Sequence, residues 1–216
     1  MESTITENTQ FFSHPKPASV RIWHWLTFLF FTASVTTVLL NSTVFKTKAN
    51  IAMVQEQVQK EGGTITEKQA RSVAHEYSDK LWDIHKLIGF GLSFLMLWRI
   101  IAEVTIAKHK RLKSRIQTAM RLKDDTPENK HYLIVQYSYI VFYILFLCMV
   151  ITGLILAFED VEWLKTIHRP AKNIHGFIQY GLYAFMALHI IGVIRADITK
   201  YSGIVSRMIN GKENNG

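Results

Sequence analysis

Four stretches of this chain run almost without polar positions: residues 22–40, 82–104, 133–158 and 174–195. Each is about twenty residues or longer, enough for a helix rising about 1.5 Å per residue to cross a hydrocarbon core of about 30 Å. The pattern predicts four membrane-spanning helices. The polar stretch 41–81 shows a different period. MVQEQVQKEGG and TITEKQARSVAHEYSDKLW predict two short amphipathic helices broken at Gly62–Gly63. Thr66 with Gln69 makes a capping box, and Ala70, Val73, Ala74, Tyr77 and Leu81 follow at helical spacing. These two helices are expected to cap one membrane face. Residues 1–19 read as a polar tail, 105–131 as a basic loop and 159–172 as a short loop. Ile204, Val205, Met208 and Ile209 give the C-terminal tail an apolar stripe suited to a membrane surface. No internal repeat or low-complexity tract is evident. The expected fold is all-α, a single integral membrane domain over residues 1–216: a four-helix bundle with an amphipathic extramembrane cap and C-terminal tail.

Composition narrows this picture. The net charge of +8 would suit a nucleic-acid binder, but the cations flank apolar spans, so membrane orientation accounts for them and no nucleic-acid partner is expected. With both termini in the cytoplasm, the inner segments hold fourteen lysines and arginines and the outer loops nine, the latter largely offset by acids. That distribution predicts cytoplasmic termini. The N-terminus lacks the basic region of a cleavable signal. The single cysteine, Cys148, reads as a small buried apolar residue; it leaves no disulfide framework and no CxxCH for covalent haem attachment. Arg99, near the end of the second span, is expected to snorkel to the headgroups, with a cofactor carboxylate as the lesser alternative.

Ionisable groups inside the spans carry the chemistry. His175 and His189 lie 14 residues apart in the fourth span, on nearly one face and about 21 Å apart along the axis. Such residues are costly in hydrocarbon and are functional suspects. His24 opens the first span between Trp23 and Trp25; taken alone it fits an interfacial residue as well as a ligand. His85 opens the second span. Because consecutive spans alternate in direction, His24 and His189 fall near the inner face and His85 and His175 near the outer. Each face thus receives two imidazoles from two helices, which suits bis-histidine ligation of a flat macrocycle, whereas zinc wants ligands converging on one point. The expected cofactor is haem b, two per chain. Gly89, Gly91, Gly176 and Gly181 would let a porphyrin approach backbone, or simply let helices pack closely. His75 and His168 read as loop or surface residues. Gln136 and Tyr137 could line a quinone site, although packing accounts for them too.

These residues carry a resemblance. RIWHWLT (21–27), WDIHKLIGF (82–90), ITG (151–153), IHGF with a histidine 14 residues on, and IRADITKYSGIVSRMINGK (194–212) together resemble the membrane cytochrome b subunit of nickel–iron hydrogenases, in the superfamily of bacterial cytochrome b-561. The resemblance covers all four spans and the tail. It implies that His85 and His175 are the axial iron ligands of an outer haem, and His24 and His189 those of an inner one. It also implies a bacterial inner-membrane protein passing electrons between an exported iron–sulfur or hydrogenase-type subunit and quinone. The 41–81 segment is longer and the 159–172 loop shorter than such subunits lead one to expect, which bears on the partner. A self-sufficient quinone-linked oxidoreductase is the alternative, and a non-redox protein whose histidines relay protons is a third.

Overall fold

The computed structural model describes residues 16–106, 111–121, 126–199 and 201–211. The polar tail to residue 15, Lys108, Lys110, Lys123, Asp124, Asp125 and the tail from Lys212 onwards lie outside the described residues. Among the described residues every regular element is helical: α1 (Ala18–Ser42), α2 (Thr47–Lys60), α3 (Glu67–Thr105), α4 (Leu112–Arg121), α5 (Pro127–Ala157), α6 (Glu162–Ile198) and α7 (Ile204–Asn210). Helices α1, α3, α5 and α6 contain the four expected spans, residue 158 being the C-cap of α5. Their apolar windows are only 22, 17, 11 and 6% buried within the protein, in chain order. A water-soluble bundle would turn those faces inward. Here they face outward, as a bilayer requires. The fold is an all-α membrane helical bundle.

Two compact units are recognisable, residues 26–94 and residues 16–25 with 95–211. In the first, α1 and α3 run antiparallel: the Phe30 ring lies over Gly91, Thr37 reaches His85, and Ser78 donates to Asn41 at 2.8 Å. As the number rises on one helix it falls on the other. Ile51 of α2 packs on Ala70 and Ala74 of α3. Gly62, at φ +78°, makes the turn between these two helices.

In the second unit α5 and α6 are also antiparallel. Phe142 packs on Phe185, Leu145 on Gly181, and Thr152 and Gly153 on His175. Thr126 caps α5 by accepting from Asn129 N at 3.3 Å, with Pro127 at the first helical position. Ala119 of α4, Tyr132 of α5 and Tyr201 form a buried cluster. Glu103 binds in two directions: Oε1 accepts from Leu112 N at 2.6 Å, and Oε2 meets Arg99 at 3.3 Å. Trp25 ties the tail to the start of α1 by donating to Met208 O at 3.0 Å. At this end Lys16, drawn down to about pKa 8 by burial first and then by Arg115 and Arg207, marks a gathering of cations from three segments.

The structure corrects the expected elements in three places. The second cap helix is not separate: α3 begins at Glu67 and continues into the membrane span, because no glycine or proline interrupts residues 67–88. Its capping box forms as expected, with Thr66 N donating to Gln69 Oε1 at 2.9 Å and Gln69 N to Thr66 Oγ1 at 3.3 Å. Of its expected apolar face Ala70 and Ala74 are buried, whereas Val73 and Tyr77 are exposed. Likewise the 159–172 loop is mostly the first turns of α6, with Pro170 inside the helix. The basic 105–131 segment contains α4, whose Ile116 and Ala119 are buried on one face. Arg99 donates to Tyr143 Oη at 2.8 Å and lies over the Trp23 and Tyr143 rings. Aromatic faces and Glu103 satisfy the guanidinium within the protein.

Candidate functional site

Each of the four span histidines has a definite environment. His24 of α1 and His189 of α6 come together, with ring centroids 6.2 Å apart and planes inclined by 58°. His24 also meets the edge of Trp25, and His189 stacks on Phe185 at 6.2 Å, nearly parallel. The Nδ1 atom of His24 is buried with no hydrogen-bond partner among the described residues. Nearby, Trp23 donates to Leu95 O at 2.8 Å, fixing the start of α1 against α3 within the same unit.

His85 and His175 lie in different units. His85 Nδ1 is 2.8 Å from Thr37 Oγ1, and the edge of its ring contacts Trp82 at 5.4 Å. His175 Nδ1 is 3.0 Å from Thr152 Oγ1. A Cβ on Gly153 would lie 3.2 Å from the His175 ring, so the glycine of ITG gives the imidazole its place.

The two histidine sites have the same local construction. In both, a threonine on the first helix of an antiparallel pair meets a histidine on the second. Seven residues before the threonine stands the side chain, Phe30 or Leu145, that covers a glycine. That glycine, Gly91 or Gly181, stands six residues after the histidine and precedes a buried leucine, Leu92 or Leu182. The correspondence ends at the other pair. The positions matching His24 and His189 are Tyr139 and Arg99. No repeat was legible in the sequence because only a few contact positions carry it.

The threonines are the residues that sequence reasoning missed. ITG was noted as a motif, but nothing in it announced a hydrogen bond to a histidine 23 residues away. Of the glycines, Gly91 and Gly181 serve helix packing, whereas a Cβ at Gly89 or Gly176 would meet nothing within 4 Å. Gln136 and Tyr137 do not converge on one site: Gln136 is fully buried, and exposed Tyr137 donates to Met120 Sδ at 3.4 Å. His75 is an exposed partner of Asp79 at 2.7 Å, as a surface residue should be. Cys148 is a half-buried thiol.

The four imidazoles come from three helices, and among the described residues no group of three or more His, Cys, Asp or Glu converges. The four long apolar helices define a class, the helical membrane proteins. Over residues 16–211 the chain matches the family described as prokaryotic cytochrome b561, and it belongs to that family. No curated protein and no solved structure matches it. The protein is thus a bacterial membrane b-type cytochrome of electron transfer, with haem b as its cofactor.

Proposed function

We propose that this cytochrome is one membrane domain holding two haems b, and that it passes electrons between an exported hydrogenase-like or iron–sulfur partner and the quinone pool. His85 and His175 are the ligands on the outer side, His24 and His189 those on the inner side, and both termini are cytoplasmic. The separation of His24 and His189 carries this reading. The two imidazoles, on separate helices with ring centroids 6.2 Å apart, would hold a haem iron between them. The shared construction around His85 and His175 supports treating them as equivalent ligands. Each also stands near the start of an apolar stretch. Lys16, Arg115 and Arg207 gather at the end assigned to the cytoplasm, in keeping with the lysine and arginine distribution.

Bound haem supplies reversible one-electron chemistry at its iron. The chain's part is to present imidazole nitrogens, orient the rings and keep water away from them. Trp25 beside His24, Phe185 beside His189 and Trp82 beside His85 do the last of these. The test is a reduced-minus-oxidised spectrum with a haem-to-protein ratio on purified protein. About two haems per chain are expected; a colourless preparation after expression with ample haem would refute the reading.

Orientation has its own check. Reporter fusions at residue 60, in α2, and at residue 118, in α4, should report opposite compartments, with residue 118 inside. The same compartment for both would overturn the topology and with it the division into inner and outer pairs.

A further inference from the structure

We propose that Thr37 and Thr152 are positioning residues that hold His85 and His175 in the Nδ1-protonated form, with Nε2 presented as the iron-binding nitrogen. This rests on the haem-ligand reading of the two histidines and goes beyond it, since it assigns the tautomer and the group that sets it.

A threonine hydroxyl has one hydrogen to donate and lone pairs to accept with. Thr37 Oγ1 lies 2.7 Å from the Ser34 carbonyl, and Thr152 Oγ1 lies 2.7 Å from the Cys148 carbonyl. A carbonyl only accepts, so at such distances the hydroxyl proton must point at it; otherwise two oxygens would face each other without a hydrogen between them. The hydroxyl therefore has only lone pairs left for the ring nitrogen beside it, Nδ1 of His85 at 2.8 Å or of His175 at 3.0 Å. The bond forms only if Nδ1 carries the hydrogen. The lone pair of the neutral imidazole then resides on Nε2.

Both threonines are buried, so water does not compete for these bonds. Finding the same threonine–histidine contact in both helix pairs argues against a packing accident. Nothing comparable holds His24, whose Nδ1 has no partner among the described residues. An acceptor at Nδ1–H makes the ligand nitrogen more electron-donating, which favours oxidised iron. The threonines should therefore lower the potential of one haem and leave the other untouched.

Potentiometric titration of the haem-loaded protein tests this. Valine keeps the branched shape of threonine and removes the hydroxyl. In Thr37→Val and in Thr152→Val the same one of the two haems should become easier to reduce by about tenfold, ~59 mV for one electron. The serine variants, which keep the hydroxyl, should titrate like the unaltered protein. If a valine variant fails to assemble, alanine at that position reads the same loss of hydroxyl. Haem release in the valine or alanine protein together with retention in the serine protein also supports the assignment. Unchanged potentials in the valine variants, or equal shifts in valine and serine, overturn it. His175→Ala, measured alongside, tests the reading beneath: should that variant keep both haems, the ligand assignment fails whatever the threonines do. If it loses one while the valine variants stay unshifted, only the tautomer assignment fails.

Discussion

Alanine at His175 is expected to remove one haem from the purified cytochrome and leave the other, taking the ratio from about two per chain to about one. Alanine at His85 should remove the same haem. By the proposed ligand set, each substitution would leave the iron one imidazole instead of two. His24→Ala and His189→Ala should together define the second haem, since their rings already stand 6.2 Å apart. The spectra separate the two cases if the haems differ in potential or band position. His75→Ala and His131→Ala serve as controls. His75 is an exposed partner of Asp79, and His131 stacks on Tyr201 at 5.9 Å, so neither change should alter haem content. If His85→Ala and His175→Ala remove different haems, the outer pair has been wrongly matched.

A second large effect is expected at Gly91. A Cβ there would run into the ring of Phe30, so the α1–α3 contact depends on a missing side chain. Gly91→Leu should lower the stability of the protein by about 1–3 kcal/mol, the usual cost of overpacking. Phe30→Ala opens the space from the other side. In the double variant the leucine should be largely tolerated, giving a coupling of about 0.5–3 kcal/mol in a double-mutant cycle. Gly89→Leu is the comparison, because a Cβ there meets nothing within 4 Å. Unfolding in mixed micelles, followed by loss of haem absorbance, provides the readout. Equal damage from Gly89→Leu and Gly91→Leu, or no rescue by Phe30→Ala, would show that the contact does not carry the effect.

Much of this molecule was legible from residue order because its constraints are local or dictated by solvent. A bilayer forbids unpaired backbone groups, so twenty apolar residues in a row become a helix whatever they pack against. That rule located α1, α3, α5 and α6. The capping box at Thr66 and Gln69 was legible for the same reason, since both partners lie within one turn. The four histidines stood out because ionisable groups are rare at that depth. Helix ends were less legible. Nothing between Gln69 and Trp82 stops a helix, so α3 runs on through a stretch that polarity suggested was a separate cap. In the basic segment the charges hid the Leu112, Ile116, Ala119 spacing of α4.

What residue order settled about this protein, then, is the number of spans, the all-α class and which ionisable groups lie in the membrane, since each depends only on a residue and its near neighbours. Tertiary structure decided which groups meet. His24 reaches His189 across 165 positions, Thr37 reaches His85 across 48, and Thr152 reaches His175 across 23. Helix pairing also decided that Arg99 meets Tyr143, 44 positions away. The shared construction of the two threonine–histidine contacts surfaced only there. It is carried by a few contact positions on antiparallel faces, and those faces exist only once the helices have packed.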